Sequence, residues 1–573
     1  MTAPTDSFFR LRTGTGEKRI NQTLKKLLDR GLKGRLLDKD PSLWSDDPAV
    51  QNKIKNRLGW LTSPAGMSGE TRELSRFARE LSEDGIRDVI LLGMGGSSLG
   101  PEVCRRTFGV REGFPNLHVL DTTVPAAILN VEKKISLDKT LFIVASKSGT
   151  TLEVTSLYRY FSGKVREAAG LQWAERFVAI TDPGSPLEKT GKDEGFRKIF
   201  LNPADIGGRY SALSFFGLVP AALIGVDPDE FLKTIDPIFE ELAAMPGESE
   251  ETAIPLGVAM GELANSGKDK LTFFLSPKLK GFGIWAEQLI AESTGKEGKG
   301  VIPVDGEPPA PPGSYHDDRF FVLIQTAEES GGEAAFNMDA LERAGHPTAR
   351  ILLKNTMELA AEFLRWEIAT AVAGVVLGIN PFDEPNVTES KENTRSVLKE
   401  AEETGTISEP PPRLSEGSLS LFEEGKGTHE GSFEGALRAF FEEIHPGDYV
   451  ALLAYFEQSG AADALLEKIR TRLRDSKKAA TTLGYGPRFL HSTGQLHKGG
   501  PEKGVFIQLT SEDPEDLPIP GETHGFSVIK RAQARGDLLS LTRRGFRVIR
   551  LHLGRDHIED LKTLSGIINA ILG

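Results

Sequence analysis

A chain of 573 residues has room for three or four domain-sized units, and 39% hydrophobic with 26% charged residues is the composition of a globular protein with a large core. A net charge of −13 argues against a nucleic acid or an anionic membrane as main partner, while leaving room for an anionic substrate held by a local field. The one cysteine, Cys104, excludes an internal disulfide; with no long apolar run and no secretory h-region, the expected setting is cytoplasmic.

Residues 1–57 read as a charged, helical N-terminal arm without chemistry, with Asp47-Pro48 marking one helix start. From 58 to 235, strands predicted at Val89–Leu92, His118–Leu120, Leu141–Ala145 and Phe177–Thr181 alternate with helical stretches, which argues for an α/β fold with a doubly wound parallel sheet. Ligands gather at the carboxyl ends of the strands in such sheets. Two of these ends carry turns of small and hydroxyl residues. Gly93-Met94-Gly95-Gly96-Ser97-Ser98 leads to a helix near Pro101, and Ser146-Lys147-Ser148-Gly149-Thr150-Thr151 leads to another. Glycine lets a backbone approach a ligand closely, and the unpaired N–H groups opening each helix favour a phosphate. The unit closes on Gly207-Gly208-Arg209-Tyr210-Ser211, a run that presents an arginine to a cleft with little cover.

The first turn also resembles the start of a dinucleotide fingerprint, with Asp121 where a ribose-binding acid would stand. Ser98 replaces the third glycine, which the helix–strand packing of that motif needs, and the second turn has no role there. Two hydroxyl-rich turns in one unit point instead to a phosphosugar.

Residues 236–400 form a second α/β unit, with strands at Leu271–Leu275, Phe320–Ile324 and Ile351–Leu353 and helices at Gly283–Ser293 and Thr356–Gly374. Residues 401–435, acidic and rich in Pro, Gly and Ser, read as a linker or surface loop. A third α/β segment, 436–573, has strands at Tyr449–Leu453, Val505–Leu509 and Arg547–Leu551. Its glycine-rich run Gly484 to Pro501 holds His491 and His497.

Five blocks then occur in order: Gly-Gly-Ser97-x-Leu-Gly-Pro, Ser146-Lys-Ser-Gly-Thr-Thr151, Gly-Gly-Arg209-Tyr-Ser, Gln288-x-x-x-Glu292-Ser-x-Gly-Lys296, and Asn-Pro-Phe382-Asp-x-x-x-Val-x-x-x-Lys391. Together they resemble the glucose-6-phosphate isomerase family, built of two sugar-isomerase (SIS) domains, over about residues 58–400. The whole length resembles the isomerase half of bacterial transaldolase/glucose-6-phosphate isomerase fusions, with no room for a transaldolase barrel and hence no expected transaldolase activity. The resemblance implies interconversion of glucose-6-phosphate and fructose-6-phosphate without a cofactor, in a homodimer with its site near the subunit boundary. Glu292 is then the base, Arg209 the cation over the enediol oxygens, and Lys391 with a histidine the ring-opening pair. Gln288 and Gly208 line the sugar, and Gly96, Ser97, Ser146, Lys147, Ser148 and Thr151 bind the phosphate.

Two positions depart from the family. Its His-x-x-x-Gln block normally precedes the lysine block. Here His316 and His346 fall in that interval without the glutamine, and the pattern appears later as His491-Ser-Thr-Gly-Gln495. His491 is the expected replacement, with His316 the alternative. Glu384 stands where the family usually has glutamine. The histidines are otherwise scattered, so no metal is expected. The competing readings are an isomerase for mannose-6-phosphate or an amino sugar, and a sugar-phosphate-binding regulator without catalysis.

Overall fold

The computed structural model describes residues 8–245, 251–423 and 431–573. Strand β1 (Phe8–Arg12) and helix α1 (Glu17–Asp29) come first. The first parallel sheet holds β2 (Asp88–Gly93), β3 (Asn116–Leu120), β4 (Thr140–Ala145), β5 (Phe177–Thr181) and β6 (Lys198–Leu201). Helix α2 (Leu99–Phe108) follows β2, and α3 (Leu152–Ala169) follows β4. The second sheet holds β7 (Lys270–Leu275), β8 (Ile302–Val304), β9 (Arg319–Thr326) and β10 (Thr348–Leu353), with α4 (Ala253–Asn265), α5 (Phe282–Thr294), α6 (Leu359–Leu377) and α7 (Val387–Thr404) around it. The third holds β11 (Leu414–Glu416), β12 (Leu419–Phe422), β13 (Tyr449–Tyr455), β14 (Ala480–Tyr485), β15 (Gly504–Ser511) and β16 (Arg547–Leu553), with the short α8 (Gly494–Gly499) and the long α9 (Phe526–Arg543).

The strand orders are β3-β2-β4-β5-β6, β1-β10-β9-β7-β8 and β11-β12-β16-β15-β13-β14. Within each parallel set the order is the same: the second strand lies beside the first, and the third and fourth follow on the other side. All three sheets are therefore doubly wound, and each reverses direction next to its first strand, where open α/β sheets form their ligand crevice. In the first sheet the reversal lies between β2 and β4, the two strands that run into the hydroxyl-rich turns. The central strands are apolar on both faces, as parallel strands covered by helices must be: Val89 to Leu92 and Leu141 to Ile143 are fully buried.

Two segments differ from the sequence expectation. The arm is not helical throughout: Phe8–Arg12 forms β1, which pairs antiparallel with β10 at the edge of the second sheet. Phe9 and Leu11 are half-buried between exposed neighbours, and five alternating residues beside a long helical stretch carry too little periodicity to stand out. The 401–435 segment is also not loop throughout. It contains the last turn of α7 and the hairpin β11–β12, whose β12 pairs antiparallel with β16. Gly417, at φ +61°, makes the turn, and Leu419 and Leu421 alternate with Ser420 into the core. The remainder of that segment at 424–430 lies outside the described residues.

Candidate active site

The first turn is where three chain segments meet. Gly95 has φ +54°, and a Cβ there would lie 2.8 Å from the Gln288 Nε2 and 2.9 Å from the His491 carbonyl oxygen. A Cβ on Gly96 would collide with the carbonyl of Gly208. These glycines thus seat the Gly-Gly-Arg turn, α5 and the His491 loop against the end of β2, besides leaving backbone open to a ligand.

In the second turn, Gly149 N–H donates to Ser146 Oγ (3.1 Å), which lies 3.0 Å from Thr151 Oγ1, and Ser148 Oγ lies 3.0 Å from Thr150 Oγ1. Thr151, which precedes the 18-residue α3, places no side-chain cap on the helix start. Lys147 is turned aside: its ammonium pairs with Asp182 and donates to the Ala204 carbonyl at 2.9 Å.

Arg209 is buried and held on every side. It donates to Ser293 Oγ and to the carbonyls of Pro381 and Asp383, each at 2.9 Å. Its Nη1 is shared by two carboxylates, Glu292 at 3.2 Å and Glu384 at 3.1 Å. The amide of Gln288 donates both to Glu292 Oε2 (3.2 Å) and to the His491 carbonyl (2.7 Å), as expected for residues one helical turn apart on α5. Burial pushes the Glu292 carboxyl above the usual carboxylate range; the Glu384 charge adds to this, while Arg209, Lys296 and His491 oppose it. Lys296 is buried beside them, donating to Asp383 Oδ1 at 2.8 Å. Burial, reinforced by Arg209, pulls its ammonium down to about 8.

His491 reaches the cleft from the loop after β14. Its Nε2 lies 2.9 Å from Glu153 Oε1. Glu153 is buried in the first turn of α3 and also accepts from Gln533 of α9 (2.6 Å), whose Oε1 accepts from Thr123 (2.8 Å). Burial works to raise the Glu153 carboxyl, but His491 and then Lys391 outweigh it and hold it below its ordinary value. Lys391 is exposed on α7 and among the described residues has no hydrogen-bond or ion-pair partner; its charge acts on Glu153 from there. Gln495 ties the same loop to both neighbours, donating to the Gly295 carbonyl (2.8 Å) and accepting from Asn386 N–H (2.8 Å).

The other histidines of the sequence reading lie elsewhere. His316 sits 3.7 Å from Asp318, and His346 packs edge-on against Phe321 in the second unit. His497 is buried among Tyr449, Phe489 and Phe506, and burial drives its imidazole well below the usual range, so it is a core group. Asp121 does not face a ribose: both its oxygens accept from Arg488, at 2.7 and 2.8 Å, and Ser98 lies 3.2 Å away. Cys104 is buried in α2, its thiol pushed up to about 12. A cavity of about 530 Å³ opens along another side of α5 beside Glu287, Asp305 and Arg470; Arg209, Glu292 and His491 do not line it.

Glu153, Gln533 and Arg488 escaped the sequence reading. Glu153 left one signal, an acid in the first turn of an amphipathic helix two residues past Thr151. Gln533 and Arg488 left none, because their partners are remote in the chain.

A carboxyl raised by burial, a fixed guanidinium and an imidazole beside hydroxyl-lined strand ends are groups that suit proton transfer on a sugar phosphate. Comparison with known proteins narrows this. The phosphoglucose isomerase family model matches residues 78–301. The glucose-6-phosphate isomerase of Rubrobacter xylanophilus is 30% identical over 419 residues, 64% of this chain and 94% of its own length. That of Thermus thermophilus is 29% identical over 399 residues, 61% of this chain and 92% of its own. A solved hypothetical protein from Thermus thermophilus superposes with TM-score 0.57 at 27% identity, covering 68% of this chain and all of that one. A glucose-6-phosphate isomerase structure from Chlamydia trachomatis shares the fold at 19% identity and TM-score 0.56, covering 70% and 90%. The chain belongs to the phosphoglucose isomerase family. It is an aldose–ketose isomerase that interconverts glucose-6-phosphate and fructose-6-phosphate.

Proposed function

We propose that Glu292 is the base of this reaction, that Arg209 stabilises the enediolate, and that His491, aimed by Glu153 and aided by Lys391, opens the sugar ring. Gly96, Ser97, Ser146, Ser148 and Thr151 seat the phosphate, with Lys147 turning in from Asp182; Gln288 and Gly208 line the sugar. His491 takes the proton of the C1 hydroxyl while the Lys391 ammonium gives one to the ring oxygen, breaking the C1–O5 bond and giving the open aldose. Glu292 then removes the C2 proton. The C–H electron pair forms the C1–C2 double bond, and the carbonyl electrons move onto O1, where Arg209 meets the developing charge. Protonation of O1 and loss of the O2 proton set up the return: Glu292 delivers its proton to C1, and O2 becomes the ketone.

The observation that carries these roles is the sharing of Arg209 by Glu292 and Glu384, with Gln288 bridging Glu292 to the His491 loop. A base raised above the ordinary carboxylate range is a stronger proton acceptor, which suits removal of a weakly acidic C–H proton near neutral pH. The working units are 58–235, 236–400 and 436–573, with 1–57 adding β1 to the second sheet and 401–435 adding the β11–β12 hairpin to the third; the enzyme acts in the cytoplasm, and it assembles as a homodimer. Among the described residues no helix is long and apolar enough to cross a membrane.

The test is a coupled dehydrogenase assay on fructose-6-phosphate for wild type, Glu292→Gln and His491→Ala. Losses of about 10²-fold or more in both variants support the roles. Full activity in His491→Ala would return ring opening to Lys391 or His316, and full activity in Glu292→Gln would remove the base. Light scattering on the active protein decides the dimer.

A further inference from the structure

Among the described residues, one set of histidine and carboxylate donors converges away from the cleft: Glu402, Glu522 and His524, whose ligand atoms all lie within 4.8 Å of one another. Glu402 stands in the last turn of α7. Glu522 and His524 stand in the loop between β15 and α9. His524 Nδ1 is 3.7 Å from Glu402 Oε1, too long for a hydrogen bond, and the histidine side chain is only 10% exposed. Both of its ring nitrogens are shut off from solvent without a hydrogen-bond partner. Buried polar groups are normally paired, so this imidazole is short of a partner on the side where two carboxylates face it.

We infer that Glu402, Glu522 and His524 form a binding site for a divalent transition-metal ion such as zinc. One imidazole and two carboxylates are donors that zinc accepts at about 2.0–2.2 Å, and the nitrogen donor favours a first-row transition ion over calcium or magnesium. Tetrahedral ligands at those bond lengths lie about 3.4 Å apart. Glu402 and Glu522 are exposed, so rotamer changes bring their oxygens in without moving the buried histidine. Arg159 of α3 pairs with one oxygen of Glu522 and leaves the other for the ion. The remaining coordination positions face solvent and take water.

The site's effect is mechanical rather than chemical. It ties the end of α7, whose first turns carry Lys391, to the loop that opens α9, which carries Gln533 behind the Glu153–His491 pair. The sequence showed nothing of it, because Glu402 and His524 are brought together only by the packing of α7 on α9.

The experiment is titration of chelator-stripped, full-length protein with Co²⁺, read by visible d–d absorption, and with Zn²⁺, read by the thermal unfolding midpoint. Wild type, His524→Ala and Glu402→Gln are compared. One ion per chain, with affinity about ten-fold or more weaker in both variants, is the expected result. A zinc-dependent rise of about 2 °C or more in wild type alone is expected with it. Equal affinity in wild type and variants, or no stoichiometric binding to wild type, overturns the site and leaves an ordinary histidine–glutamate contact. Glu402→Gln, an exposed helix substitution, decides the matter if His524→Ala fails to fold.

Discussion

The first and third sheets share one strand order yet serve the cleft in different ways. The first presents main chain and hydroxyls at the ends of β2 and β4, so its contribution is local: consecutive residues, two turns, two helix starts. The third sends in one side chain, His491, whose position is set by partners far away in sequence: Glu153, Asp121 through Arg488, and Asn386 through Gln495. The same framework thus yields a site that is written in a motif and a site that is written in contacts.

The sharpest way to break this comparison is at the point where the two regions touch. Gly96→Ala drives a methyl group into the Gly208 carbonyl, between two backbones that have no room to yield. Activity in the coupled assay should vanish even where circular dichroism shows a folded protein; retained activity would mean that the segments need not meet so closely. Next is Arg488→Leu. It leaves Asp121, 1% exposed, as a buried carboxylate without its cation, at a cost of about 3–5 kcal/mol. Thermal unfolding should report it, and an unchanged midpoint would mean that the third unit docks without this pair. Glu153→Gln keeps the shape behind His491 and removes the charge; turnover of fructose-6-phosphate should fall about 10²-fold while the unfolding midpoint changes little. A wild-type rate would detach His491 from its partner.

The smallest effect is expected at Glu384→Gln. The Glu384 charge raises the Glu292 carboxyl, so its removal lowers it, and the base stays deprotonated to lower pH. Arg209, Lys296 and His491 continue to act in the same direction. The acidic limb of kcat/KM should therefore move to lower pH; a shift the other way, or none, would show that Glu384 does not share Arg209 in the working enzyme.

Most of the fold was legible because buried parallel strands leave continuous apolar runs: Val89–Leu92, Leu141–Ala145 and Phe177–Thr181 all lie within strands. The two hydroxyl-rich turns at the ends of β2 and β4 were legible because their glycine and hydroxyl residues are adjacent in the chain. What stayed hidden was non-local or short. The five-residue β1 has too little pattern of its own, and the four-residue β12 joins the third sheet by pairing with β16, remote in the chain. Glu384 was visible as a departure, but its sharing of Arg209 with Glu292 needed three segments in place at once.

The span between Glu153 and His491 also sets a timetable for the nascent chain. The two are 338 residues apart, and at ribosomal speeds of about 5–20 residues per second His491 is made roughly 20–70 s after its partner. Until then the α3 carboxylate stands without its imidazole, and the cleft lacks the one side chain that the third sheet sends into it. On the ribosome, the pairing of Glu153 with His491 therefore arrives as a late docking event.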